Sequence, residues 1–374
     1  MHVTIDKVHD CFVTHASGFF SDSYVRARRH FRDAAIALGR EVETHVLPDY
    51  RGIDGEELAT DVTLIGAPDA EKLLIVSSAT HGVEGYCGSG CQISVLQDPD
   101  LLERARSADV AVLLIHAINP HGFSYSRRVN ENNVDVNRNF RDFSKPLPGG
   151  EDYRALEPYL LPAQWPPTEG DETALAELGA AMGTGRYGSA VGGGQYVSPN
   201  GMYFGGTSET WSNRTVRTIL RRYGGAARHI GWIDVHTGLG PAGHCEKVFI
   251  ASPEQYDRAR SWWGADVYST DLGDSVLYAI EGPLLGILED ECPQAVATTI
   301  ALENGTVPYD EMVMSLRGDH WLHANPPAQE DAATLAIRQR LKTAFYLNDP
   351  EWKAAVLAQF RVAMLQALEG LKRA

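Results

Sequence analysis

The sequence predicts an α/β protein, a single three-layer sandwich built around a mixed, mostly parallel central sheet. Three observations predict it. The apolar runs are short and continuous rather than alternating, as strands covered on both faces read. Segments with a helical apolar period lie between them, so the two kinds of element alternate along the chain. With 374 residues, 44% of them apolar, there is enough chain to bury a large core.

Taken in order, Tyr24, Phe31, Ala35 and Leu38 make the apolar stripe of a helix over 22–39, and the arginines from Arg26 to Arg32 fall on its solvated face. Strand-like runs follow at 73–79 (LLIVSSA), 109–118 (DVAVLLIHAI), 229–235 (HIGWIDV), 246–252 (EKVFIAS) and 297–303 (ATTIALE). Helical periodicity fits 88–97, 207–223, 254–264, 328–346 and 350–372. The last opens on Asp349 as N-cap with Pro350 at the first helical position, and Trp352, Val356, Phe360, Ala363 and Ala367 give it one apolar face. One domain over 1–374 is expected, with a helical C-terminal extension at 328–374. Residues 143–206, dense in glycine, proline and aromatics, read as an irregular insertion that either walls a pocket or is a surface excursion.

A net charge of −16 argues against nucleic acid and anionic membranes as partners. No run of 18 apolar residues is present, so no membrane span is expected. The opening MHVTIDKVHD does not read as a secretory signal, and five scattered cysteines (Cys11, Cys87, Cys91, Cys245, Cys292) suit reduced thiols, so a cytoplasmic location is expected. Cys87 and Cys91 share a helix-face spacing that packing explains more cheaply than ligation. Oligomeric state stays open.

The chemistry-bearing residues sit where apolar runs end. Run 73–79 leads into HGVEG with His81 and Glu84, run 109–118 into NPHGF, run 229–235 into His236, and run 297–303 ends on Glu303. Ligands gather at the carboxyl ends of strands in open α/β sheets, so these clusters can converge on one crevice. Singly, each has a plainer reading as a cap, a turn or a hydrogen-bonded strand end. Together, two imidazoles and a carboxylate leave a fourth tetrahedral position, the open arrangement of a catalytic zinc site. Glu303 is then the candidate to move the proton of an activated water. SRRVNENNVDVNRNF, residues 126–140, adds Arg127, Arg128 and Arg138 among five asparagines, a composition that favours a carboxylate-binding loop over a plain turn.

In this order the pieces resemble the zinc carboxypeptidase family, the carboxypeptidase A-like metallopeptidases. The family pattern is matched by HGVE at 81–84, NPHGF at 119–123, Arg128, VDVNRNF at 134–140, His236 and Glu303, over about residues 70–310, with a texture similar to an uncharacterised bacterial branch. The resemblance implies a carboxypeptidase-like fold and one Zn2+ per chain held by His81, Glu84 and His236. It implies that Asp135 orients His81, and that Arg128, or Arg127 beside it, polarises the scissile carbonyl. Asn137 and Arg138 would hold the substrate's carboxylate, Glu303 would act as general base and acid, and Tyr278 would be the family's mobile tyrosine. The implied partner is a small peptide or acyl amino acid bearing a free carboxylate. An N-acyl amino acid deacylase resembling aspartoacylase, or a metal- or ligand-binding protein without turnover, are the alternatives. His121 departs from the family's usual aspartate, as do the insertion and the roughly 70 residues beyond Glu303.

Overall fold

The computed structural model describes residues 13–250, 253–270, 275, 280–329 and 331–374. Cys11, Tyr278 and the last two positions of the run at 246–252 lie outside the described residues. The strands are β1 (Glu43–Arg51), β2 (Glu57–Ile65), β3 (Lys72–Ser77), β4 (Val110–His116), β5 (His229–Thr237), β6 (Cys245–Phe249), β7 (Val267–Ser269) and β8 (Val296–Asn304). They form one mixed sheet in the order β1-β2-β4-β3-β5-β8-β6-β7. Its centre is parallel: β3 pairs β4 and β5, and β5 pairs β8, all in parallel register. Antiparallel pairs β1–β2, β2–β4 and β6–β8 extend it on both sides.

The sheet separates two cores, which accounts for the unbroken apolar runs. Along β3, Leu74 and Val76 face one core while Leu73 and Ile75 face the other, and β4 divides in the same way. The first core takes the helices Tyr24–Ala37, Gly85–Leu96 and Pro350–Arg373; the second takes Trp211–Gly224, through Val216, Ile219 and Leu220. Each central strand is buried on both faces, so a period of two carries no polar half. The α/β layers are as the sequence predicts.

Three differences have physical causes. β1 and β2 escape notice because charged and polar residues punctuate them: Asp61 of β2 is fully buried but satisfied by Arg28 Nε at 2.7 Å, Arg32 Nη1 at 2.8 Å and Thr44 Oγ1 at 2.6 Å. The 143–206 segment is not irregular throughout, since it contains the helices Glu151–Leu160, Glu169–Met182 and Thr184–Gly192. Its glycines and Thr168 serve as punctuation: Gly183, at φ 79°, divides two helices, and Thr168 with Asp171 forms a capping box. Finally, the helix Pro350–Arg373 is long and apolar enough to cross a membrane by length and composition, which the expectation of no span overlooked. In the fold, Trp352, Val356, Phe360, Met364 and Leu371 of this helix are buried in the first core.

Candidate metal centre and substrate cavity

Parallel β3, β5 and β8 end at one edge of the sheet, and that edge carries the site. After β3 the chain turns through Ala79, at φ 56°, so that His81 and the short turn Gly82–Glu84 fold back over the strand ends. Gly82 is required there: a Cβ on it would stand 2.0 Å from the backbone carbon of Gly122. That approach lets Gly82 N–H donate to Arg128 O at 3.1 Å and Val83 N–H to Arg127 O at 2.9 Å. Thus HGVEG is clamped against the arginine segment. His236 and Glu303 are partners across β5 and β8, so one register places both at the same rim.

His81, Glu84 and His236 come together, with candidate ligand atoms all within 4.8 Å of one another and all three residues buried. Glu84 Oε1 lies 2.8 Å from His81 Nδ1, and its Oε2 lies 2.9 Å from His236 Nδ1. Both imidazoles therefore turn Nδ1 to the shared centre. Their far nitrogens meet buried carboxylates: His236 Nε2 is 2.6 Å from Asp234 Oδ2, and His81 Nε2 is 3.3 Å from Asp135 Oδ1. Imidazoles held in this way are what a cation site needs, because the carboxylate keeps the proton on Nε2 and leaves Nδ1 bare. One contact competes. Arg128 Nη2 is 2.8 Å from His81 Nε2, which suits the opposite tautomer.

Asp234 is the residue that the motif reading missed. Besides His236 it receives Ser77 Oγ–H at 2.6 Å and Thr80 Oγ1–H at 3.0 Å, while Trp232 Nε1–H in turn donates to Ser77 Oγ at 2.7 Å. The signal was present: Asp and His two apart on a strand point to the same face.

Charge and burial oppose each other here. Burial alone would raise the Glu84 carboxyl, but His81 and His236 outweigh it and hold it down at about 2. Burial alone would lower His236, yet Asp234 and Glu84 raise it well above the ordinary range. Glu84 favours positive charge beside both Nδ1 atoms, where a divalent ion would stand in place of a proton. Two nitrogens, one carboxylate and an open side fit zinc. Glu303 is pushed up to about 8 by burial and then by the Glu84 carboxylate, and its Oε1 accepts Leu239 N–H at 3.1 Å.

A cavity of ≈ 60 Å³ opens on this cluster and is lined by His81, His236, Glu303, Arg128, Asn137 and Arg138. Arg128, not Arg127, reaches the cluster: its Nε donates to Asp135 Oδ2 at 3.0 Å and its Nη1 to Glu84 Oε1 at 3.3 Å. Arg127 turns away to Asp319, at 2.9 Å, and Asn133. Arg138 is buried and donates to the carbonyls of Asn137 (3.1 Å) and Gly192 (2.7 Å); no carboxylate among the described residues pairs with it directly, and Asp135 acts on it only at longer range. Asn137 accepts Leu284 N–H on Oδ1 at 2.8 Å, leaving its amide N–H groups to donate.

The other asparagines of 126–140 serve structure more than the cavity. Asn130 caps its own turn, Asn133 donates to Pro199 O and Gly201 O, and Asn139 ties Gly205, Ser208 and Thr210. They bind the insertion to the arginine loop. In consequence Gly192 and Tyr203 of the insertion line the cavity, as do Tyr309, Met312 and Phe345 from the helices Tyr309–Ala324 and Ala332–Phe345 beyond β8. His121 does not line it; its ring stacks on Tyr125 at 4.5 Å. Tyr278 lies outside the described residues.

A family model described as a protein of unknown function, DUF2817, matches residues 20–359. The chain belongs to this family. No curated protein matches it in sequence. Among solved structures the chain is similar to carboxypeptidase A from Helicoverpa armigera, at 13% identity over 94% of this chain and 74% of that one, with a TM-score of 0.48. It is similar to a metallo-carboxypeptidase from Pseudomonas aeruginosa in complex with (2-guanidinoethylmercapto)succinic acid, at 15% identity over 89% and 69%, with a TM-score of 0.40. A third is bovine thrombin-activatable fibrinolysis inhibitor in complex with tick carboxypeptidase inhibitor, at 12% identity over 93% and 97%, with a TM-score of 0.47.

Proposed function

We propose that the protein is a zinc-dependent hydrolase that cleaves an amide bond next to a carboxylate-bearing residue. The observation that carries this reading is the meeting around one cavity of a His-Glu-His donor set, the raised carboxyl of Glu303 and a buried guanidinium, Arg138, that no carboxylate among the described residues pairs with directly. His81, Glu84 and His236 would hold the ion. When bound, zinc supplies a Lewis acid for the amide carbonyl and brings the pKa of a water toward neutrality.

The remaining work falls to the chain. Glu303 takes a proton from the attacking water and returns it to the leaving amine nitrogen. With Glu84 neutralised by a bound ion, the repulsion that helps to raise Glu303 would be relieved, and Glu303 would accept the water's proton as a carboxylate. Arg128 faces the amide carbonyl and stabilises the charge that develops on its oxygen. Arg138 and the amide N–H groups of Asn137 hold the substrate's carboxylate, which gives the buried guanidinium a direct anionic partner. The insertion walls the cavity with Gly192 and Tyr203, which favours dipeptides and acyl amino acids over long chains.

The test is the metal content of the purified protein measured alongside hydrolysis of dipeptides and N-acyl amino acids, with chelation and reloading. Near-stoichiometric zinc and chelator-sensitive hydrolysis of one class are expected. Absence of bound metal together with hydrolysis indifferent to chelator would overturn the reading.

A further inference from the structure

The C-terminal extension delivers a ring to the cavity, Phe345, which lines it together with Met312 and Tyr309. Phe345 is the last residue of the helix Ala332–Phe345 and is 1% exposed. The end of this helix is fixed to the rim of the sheet. Its last carbonyls, which a helix leaves without partners of its own, take hydroxyls from the strand ends: Phe345 O accepts Thr237 Oγ1–H at 2.6 Å, and Ala344 O accepts Thr306 Oγ1–H at 2.6 Å. Thr237 N–H in turn donates to Glu84 Oε2 at 3.3 Å, so a single residue joins the helix end to a candidate metal ligand.

The ring itself is held by the chain that follows β5. Gly238, at φ 125°, leaves it room, since a Cβ there would stand 2.6 Å from Phe345 Cε1. Next along the chain, the Tyr346 ring packs on Tyr86 and Trp352, with centroids 5.5 and 5.7 Å apart, and Trp352 Nε1–H donates to Gly305 O at 2.8 Å. Phe345 cannot swing aside without breaking contacts at both strand ends. A ring so fixed is a wall and not a lid.

Phe345 and the carboxylate anchor stand on opposite sides of the sheet edge. Phe345 and Met312 belong to the first core. Val136 and Phe140, which flank Asn137 and Arg138, belong to the second, as does Leu284, whose N–H Asn137 accepts. His236 and Glu303 lie on the rim between them. A substrate whose carboxylate rests on Arg138 therefore brings its amide to the metal cluster and its acyl group to Phe345. We infer that Phe345 is a specificity-determining residue that ends the acyl side of the cavity, so that the substrate is an amino acid carrying a short acyl group and not a peptide or fatty acyl chain. The inference rests on the carboxylate reading of Arg138, which sets the direction in which the substrate lies.

The experiment titrates the purified protein calorimetrically with N-acetylleucine, N-octanoylleucine and N-acetylleucine methylamide, which lacks the carboxylate, with a chelator present so that no ligand is hydrolysed. The native protein should bind N-acetylleucine at least about 10-fold more tightly than N-octanoylleucine, because the longer chain meets the ring. Phe345→Ala removes the wall and should raise the affinity for N-octanoylleucine about 10-fold, to equal or exceed that for N-acetylleucine, a gain that a folding defect does not produce. Phe345→Leu keeps most of the buried volume and should move the ratio the same way by a smaller factor; it carries the test if thermal unfolding shows that Phe345→Ala does not fold. Equal affinity of the native protein for the two acyl leucines, or a ratio that neither variant changes, would overturn the role of Phe345 and leave the carboxylate reading standing where the methylamide binds more weakly. If the native protein does not distinguish N-acetylleucine from its methylamide, the carboxylate reading falls and this inference falls with it.

Discussion

Asp234→Asn separates a buried carboxylate's charge from its shape. The native carboxylate accepts Ser77 Oγ–H at 2.6 Å, accepts Thr80 Oγ1–H at 3.0 Å from each oxygen, and faces His236 Nε2 at 2.6 Å. Asparagine fills the same space but turns one acceptor into a donor. If that amide N–H2 faces His236, the imidazole proton must move to Nδ1, the atom 2.9 Å from Glu84, where a cation has to displace it. If it faces Ser77 and Thr80, two hydroxyls that donate must reorient in a site with no exposure. Either way zinc affinity should fall about 10- to 100-fold, or ~1.4–2.7 kcal/mol, as for other carboxylates behind ligand imidazoles. The fold should lose about 1–3 kcal/mol from imperfectly paired buried groups. Competition with a chromogenic zinc chelator measures the first and chemical denaturation the second. Ser77→Ala, which keeps the charge, should cost less than tenfold in affinity. Native zinc affinity in Asp234→Asn would refute the reasoning, because it would mean that Asp234 does not set the His236 tautomer.

Glu303→Gln should lower amide hydrolysis by about 10²-fold or more while zinc stays bound, checked by metal analysis of the same sample; loss of metal would make Glu303 a ligand instead. Gly82→Ala drives a Cβ to 2.0 Å from Gly122 backbone, so thermal unfolding should show a loss of about 2 kcal/mol or more together with weaker metal binding. Stability should also fall as pH drops from about 6.5 toward 4. Burial holds His116 and His320 down to about 4, below their unfolded value, so the unfolded chain binds more protons in that window and stability is complete only above it. Each histidine contributes a slope of up to about 1.4 kcal/mol per pH unit, and denaturation at pH 7 and pH 5 reads it; a flat profile would contradict the burial.

Much of the site was legible because its chemistry follows strand ends. His81, Glu84, His236 and Glu303 each close an apolar run, and residues in that position share one rim wherever the strands are parallel. Asp234 was equally legible by its two-residue spacing from His236, but an acid inside an apolar run looks like an interruption until a hydrogen-bonding partner is known. Tyr203 was not legible: nothing in GQYVSPNGMYFGG says which aromatic ring turns inward, since that depends on a turn fixed by Gln195, Tyr153 and Asp135 from three different segments. β1 and β2 were hidden for a related reason, as their polar residues find buried partners only after the helix Tyr24–Ala37 packs on them.

The sequence by itself determined the α/β class, the two-sided burial of the central strands and the residue types of a cation site, because all three follow from local period and side-chain chemistry. Only the tertiary structure decided that Arg128 rather than Arg127 reaches the cluster, that Arg138 is buried with its guanidinium on backbone carbonyls, and that the insertion walls the cavity with Gly192 and Tyr203. Neighbouring arginines have the same chemistry in sequence. Which of them meets Glu84 and which meets Asp319 is set by the direction each side chain leaves a loop clamped by Gly82 and Val83, and that direction exists only once the distant segments have packed.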